Sequence, residues 1–214
     1  MTMAGQYDLE EQERIAELKA WWEDNRWFVI GAIVAAIVAF GGWKGWAHYK
    51  QSSAEDASLM FAPVADAVKA KDTKALDAGA QALMAKHPGS FRASEAALYS
   101  AKAAFDAGKN AEAREKLEWV VKNGPKELQG VARLRLAAVL MDEKKYPEAL
   151  TVLDQNKDEA FVALVADLRG DVMLSQGRLD EARASYKLAI EKAEPRNPVK
   201  QVAEVKLNAL GGAQ

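Results

Sequence analysis

WFVIGAIVAAIVAFGGW, residues 27–43, carries no charged side chain and is bracketed by Arg26 and Lys44. As a helix these seventeen residues cover about 25 Å, near the short end of a bilayer's hydrocarbon core. Trp21, Trp22 and Trp27 stand at one border, Trp43 and Trp46 at the other, so five of the six tryptophans mark the two edges. An indole there keeps its ring in the headgroup layer and its N–H in water. A buried soluble helix has no use for such a bracket. The stretch predicts a transmembrane helix over 27–46.

Upstream, residues 1–26 form a short acidic tail. Asp8, Glu10, Glu11, Glu13, Glu17, Glu23 and Asp24 stand against Arg14, Lys19 and Arg26, a net charge of −4. A cleaved signal peptide would need a basic start and a shorter apolar run. The acidic tail and the long run predict an uncleaved anchor instead. Arg14, Lys19 and Arg26 on one side against Lys44 and Lys50 on the other favour a cytoplasmic N-terminus by only one base, so the bases alone do not settle orientation. Tyr7 to Asn25 reads as a helix with a thin apolar stripe of Leu9, Ile15, Leu18 and Trp22. It is either a solvated lead-in to the span or an amphipathic docking element for a cytosolic partner. Within the span, Gly31, Ala35 and Ala39 share one helical face, which suits close packing by another transmembrane helix but also matches ordinary span composition. Gly41 and Gly42 are expected to loosen the outer end.

Downstream, residues 51–214 hold 24 acids and 24 bases, a balance that leaves no electrostatic footprint for nucleic acid. The chain has no cysteine, which removes disulfides, thiolate metal sites and cysteine nucleophiles together. KAKD (69–72), KHPGS (86–90), DAGKN (106–110), KNGP (122–125), DEKKYP (142–147), QNKDE (155–159), SQGRLD (175–180) and EPRNP (194–198) break the region into alanine-rich pieces. Apolar positions recur in these pieces at three- and four-residue steps, with no β-type alternation. The fold class expected is all-α, about nine helical segments after one N-terminal transmembrane helix.

Three segments repeat one pattern: KNAEAREKLEWVV (109–121), KYPEALTVLDQ (145–155) and RLDEARASYKLAI (178–190). Ala113, Ala149 and Ala182 each follow a glutamate, and Leu117, Leu153 and Tyr186 come four residues later. This period resembles the tetratricopeptide repeat, a hairpin of two helices stacked into a solenoid. In the third copy the match extends to Gly170, Gly177, Ala189 and Pro195; in the first it includes Gly108 and Pro125. The second departs, with Ala137 for the helix glycine and Asn156 for the last alanine, so a shorter hairpin is expected there. The organisation read from these marks is a degenerate pair at 53–88, repeats at about 94–127, 130–157 and 163–196, and a capping helix at 198–210.

The acidic tail, the single span, GGWKGWAHY (41–49), the degenerate pair and ALVADLRGDVMLSQGRLDEARASYKLAI (163–190) together resemble the YfgM family. That resemblance covers nearly the whole chain. It implies a bacterial inner-membrane protein with a cytoplasmic N-terminus and a periplasmic repeat domain, ancillary to the Sec translocon. The partners it implies are translocon subunits, a membrane-anchored periplasmic chaperone of the parvulin-like type, and newly exported clients. The family offers no short binding motif whose residues carry over.

The side chains give an enzyme nothing to work with. His48 reads as an interfacial residue and His87 as a helix stop before Pro88–Gly89, and no second histidine lies at a ligand spacing. Asp167 and Asp171 fall at i, i+4 on one face, but two carboxylates offer too few oxygens for calcium. With Arg169 and Arg183 nearby, a solvated charge network is expected. No metal, cofactor or small-molecule substrate is expected, and no phosphate loop, nucleophile elbow or HExxH motif is present.

Protein binding is the better prospect. The first helix of each hairpin lines the concave face in such repeats, which nominates Leu98, Lys102, Phe105, Leu134, Met141, Asp167, Asp171 and Leu174. Leu98/Lys102, Leu134/Ala138 and Asp167/Asp171 stand where a carboxylate clamp would place lysine and asparagine, so a more apolar, less motif-selective groove is expected. Leu98, Phe105 and Leu134 can equally serve as core between repeats. The function expected is an accessory scaffold or chaperone at the secretion channel; the alternative is an assembly adaptor that binds no client.

Overall fold

The computed structural model describes residues 3–211, with side chains from Arg14 onward. Leu9, the early tail acids Asp8 to Glu13 as side chains, and residues 212–214 at the end of the expected repeat domain lie outside the described residues. Every described element is helical: α1 (Met3–Ala70), α2 (Thr73–Lys86), α3 (Phe91–Asp106), α4 (Asn110–Asn123), α5 (Lys126–Asp142), α6 (Tyr146–Asp154), a 3-10 turn (Glu159–Phe161), α7 (Val162–Ser175), α8 (Leu179–Lys192) and α9 (Pro198–Ala209). The chain divides into two compact units, Met1–Ser53 and Ala54–Gln214, and α1 contributes to both.

In the first unit the apolar side chains point outward. Trp27, Phe28, Ile37 and Val38 are all exposed, an arrangement water would not tolerate over so long a run. Among the described residues α1 alone is long and apolar enough to cross a membrane, with a mean hydropathy of 1.8 in its most apolar window. Cations sit on aromatic faces at both borders, the Arg26 guanidinium 5.8 Å from the Trp27 ring and the Lys50 ammonium 4.3 Å from the Trp46 ring. Gly41 and Gly42 do not loosen the helix as expected; the backbone stays helical through both. A spanning segment has no water to accept freed backbone groups, which favours an unbroken ladder. The face of Gly31, Ala35 and Ala39 is open, and nothing lies within 4 Å of a Cβ built on Gly31.

In the second unit helices pack on their chain neighbours, α2 on α3, α3 on α4 and so on to α8 on α9. The end of α1 supplies Ala57, Phe61, Val64 and Ala67, at three- and four-residue steps, to a core shared with Leu76, Ala80 and Leu83 of α2 and Ala93 and Ala96 of α3. A larger core runs from Ala97 and Ala101 through Leu117 and Val120 to Leu136, Leu140 and Leu153. The alanines let axes approach and the leucines fill the space between hairpins. Breakers act as caps: the Asp72 carboxylate accepts from Lys74 and Ala75 N–H, the Ser90 hydroxyl from Ala93 N–H, and the Asn197 carbonyl from Val199 N–H. Each hairpin turn holds one left-handed residue, Lys71 (φ 56°), Gly108 (74°), Lys144 (60°) and Gly177 (74°). The helix stop at His87 does more than end α2. Its Nε2 lies 2.8 Å from Asp56 Oδ2, which also accepts from Lys86. Lys86 first, then His87, holds the Asp56 carboxyl below its ordinary range.

Candidate partner-binding groove

The exposed ridge of α3 is Tyr99, Lys102, Phe105 and Asp106. Two open pockets flank it. One, of about 350 Å³, lies towards α5 and is lined by Phe105, Leu117, Arg135, Ala138 and Val139; the other, of about 520 Å³, lies towards α2 and is lined by Val68, Lys71, Leu76 and Tyr99. Lys102 and Asp106 border both. They neutralise each other, with Lys102 donating to Asp106 at 3.0 and 2.7 Å. The groove is thus mainly apolar, with cationic side chains from Lys71 and Arg135 on its walls.

The structure places the sequence-nominated residues differently. Lys102 and Phe105 line the open groove, and Leu134 and Met141 are half-buried against the main core. Leu98 is 7% exposed and belongs to that core, so it is removed from the binding face. Leu174 is exposed on α7. Asp167 and Asp171 are engaged within the chain, and not by the expected arginines. Arg169 pairs with Asp154, and Arg183 with Asp180. Lys206 of α9 instead reaches both acids, 2.8 Å to Asp167 Oδ2 and 2.7 Å to Asp171 Oδ2, while Tyr186 Oη donates to Asp171 Oδ1 at 2.9 Å. The correction has a physical cause: α9 folds back on the last hairpin and delivers an ammonium to a half-buried acid pair that solvent would otherwise have to satisfy.

Burial pushes the Asp167 carboxyl above its ordinary value, and the Lys206 contacts offset this only in part. Burial alone would lower the Lys206 ammonium, but the hydrogen bonds it donates to both carboxylates more than reverse it. Burial, then the bond to Asp171, raises the Tyr186 phenol. A second polar cluster joins α2, α3 and α4: Asp77 accepts from the Ser100 hydroxyl at 2.8 Å and pairs with the buried Lys116 at 2.9 Å. Burial pushes the Asp77 carboxyl up, yet Lys116 and Ser100 outweigh it and leave it below its ordinary range. No group of three or more metal-ligating side chains occurs among the described residues.

Sequence reasoning missed Tyr99, Arg135 and Lys206. Tyr99 and Arg135 each follow a nominated leucine by one position, and the open face of α3 runs through Tyr99, Lys102 and Asp106 at i, i+3 and i+7. The polar residues of α3 already carried that phase. Lys206 had no sequence signal, since its partners lie more than thirty residues away.

A family description, tetratricopeptide repeat-like domain, matches residues 19–212. This chain belongs to the tetratricopeptide repeat-like domain family. Among its relatives, a protein of Neisseria gonorrhoeae named ancillary SecYEG translocon subunit is 28% identical, across 94% of this chain and 98% of that one. A protein of the same name from Escherichia coli is 27% identical, across 94% and 96%. These relatives support the resemblance to the YfgM family read from the sequence. In three dimensions the chain is similar to MamA, from residue 41 to its end, of Desulfovibrio magneticus RS-1. That similarity has a TM-score of 0.52 and 18% identity, over 72% of this chain and 93% of that one, which establishes a shared repeat fold.

Proposed function

We propose that this tetratricopeptide repeat-like protein is an ancillary, non-enzymatic subunit of the Sec translocon. In this reading α1 anchors it as a single-pass inner-membrane protein, with the N-terminus cytoplasmic and the repeats periplasmic. The observation that carries the reading is the extent of the match to the translocon subunits, which runs through span and repeats alike over 94% of the chain. The domain organisation follows: tail at 1–26, span at 27–46, repeats from 51. The groove around α3, with Lys102 and Phe105 on its open surface, is the surface proposed for protein partners: translocon subunits, a membrane-anchored parvulin-like chaperone, or exported clients. Met141 and Leu134, half-buried against the core, are kept as proposed partner contacts, and the Gly31, Ala35 and Ala39 face is proposed to pack against a neighbouring span.

The test is a photoreactive residue at Phe105 of the full chain, activated in intact cells. Adducts with translocon subunits or a periplasmic chaperone are expected; if none form, the reading fails. Orientation is tested with a cysteine at Ala213, which is expected to react with an impermeant thiol reagent once the outer membrane is permeabilised. Reaction only after lysis would place the repeats in the cytosol. A second reading, an adaptor without client binding, draws on the burial of Leu98 and the internal engagement of Asp167 and Asp171, which shorten the accessible groove. In nanodiscs the client-binding form is expected to suppress aggregation of an unfolded protein at stoichiometric amounts, and the adaptor is not.

A further inference from the structure

The hairpins do not treat equivalent positions alike. The repeat offset between Ala113, Ala149 and Ala182 places Lys102, Ala138 and Asp171 in register. Lys102 and Ala138 both line the open pocket beside α3, whereas Asp171 is met by Lys206 from α9. The last hairpin's share of the groove is therefore occupied by the chain itself.

The hold on α9 combines a short apolar seam with polar contacts. Ala203 and Leu207 are buried, Ala203 against Ala166 and Ala189 and Leu207 against Met173, Ala182 and Tyr186, whereas Val202 and Val205 face solvent. Lys206 bridges Asp167 and Asp171, and the Arg183 guanidinium donates to the Leu210 carbonyl at 3.1 and 2.7 Å where α9 ends. The bridge is incomplete: Asp167 Oδ1 is buried and has no hydrogen-bond partner. One ammonium thus faces two carboxylates and leaves an acceptor unused, which lowers the net worth of the contact. A short helix fixed by few apolar groups and an under-satisfied ion cluster sits at the low end of local stability.

We infer that α9 is an autoinhibitory strap: Lys206 closes the last hairpin's part of the groove in cis, and release of α9 extends the groove from α3 and α5 to Asp167 and Asp171, beside the already exposed Leu174. The inference rests on the groove being a partner surface, as proposed above. In the closed form the groove offers the pockets beside α3; in the open form it adds an acidic end on α7, suited to a basic side chain of the bound segment.

Hydrogen exchange on the full chain in nanodiscs tests the strap directly. Lys206→Gln is expected to speed exchange of α9 amides about tenfold or more, the effect of losing a charge-assisted contact, with α3 to α6 unchanged. Lys206→Arg acts in the opposite direction, because a guanidinium can also reach the unused Asp167 oxygen. Unchanged α9 exchange in Lys206→Gln, or faster exchange throughout the repeats, overturns the strap. A photoreactive residue at Leu174 then reads the groove: translocon adducts are expected to rise severalfold in Lys206→Gln and fall in Lys206→Arg, while those from Phe105 stay constant. Faster α9 exchange with constant Leu174 adducts rejects autoinhibition. If Phe105 gives no adduct in any variant, the partner-surface reading falls and autoinhibition with it, and α9 remains only a labile cap.

Discussion

The second and third hairpins solve one packing problem in two ways. In the third, α7 brings Gly170 against the Tyr186 ring, so close that a Cβ on Gly170 would enter the ring. In the second, Ala137 and Leu153 stand at the equivalent positions, a larger small residue against a smaller large one, and both are fully buried. The second hairpin's own close approach has moved elsewhere. Gly130, at the start of α5, lies under the Phe161 ring, and Asn156 donates to the Gly130 carbonyl at 3.1 Å. This compensates for α6, which has nine residues where α8 has fourteen. The repeat conserves the volume between its helices rather than the residues that fill it.

That comparison can be broken most sharply at Tyr186. Tyr186→Ala empties the largest fully buried side chain and is expected to cost about 3–5 kcal/mol in urea unfolding of the full chain in micelles. Gly170→Ala overpacks the same crossing and is expected to cost about 1–3 kcal/mol, whereas Ala137→Gly lacks a facing ring and should cost about 1 kcal/mol. Asn156→Ala removes the second bond to the Gly130 carbonyl, which keeps its partner within α5, for an expected loss of about 1 kcal/mol, read by the same titration.

Acid sharpens the contrast between the two ends of the stack. The Asp77 carboxyl sits below its ordinary value in the folded chain, so its contribution is present above the unfolded value of 3.8 and is lost as pH falls through the folded one. Asp167 is raised, so protonation removes a burial cost and favours the folded form. Hydrogen exchange at falling pH is therefore expected to loosen α2 to α4 before α7. The smallest expected change is at the turn between α5 and α6. Lys144 holds a left-handed φ of 60°, and Lys144→Gly is expected to gain about 0.5 kcal/mol, the relief of strain less glycine's extra chain entropy, measured as a rise in the urea midpoint.

Much of this was legible in the sequence, and the reasons are local. Span, breakers and the Ala–Leu/Tyr period depend on neighbours within one or two turns, so WFVIGAIVAAIVAFGGW and RLDEARASYKLAI could be read without a structure. The short second hairpin was legible from Asn156, which replaces a core alanine. The groove was legible only in outline. Whether Leu98 or Tyr99 faces out depends on a helix rotation of one residue, set by how α4 and α5 press on α3. The occupation of Asp167 and Asp171 depends on where α9 returns, which no local pattern records.

The short-range packing of the repeats bears on how the molecule fails. With each helix resting on those one or two places away in the chain, there is no central element whose loss brings down all the others. Melting is then a matter of fraying rather than collapse, and calorimetric and van't Hoff enthalpies are expected to disagree. A chain of this kind can shed its last hairpin under stress, keep the first, and rebuild from the surviving end.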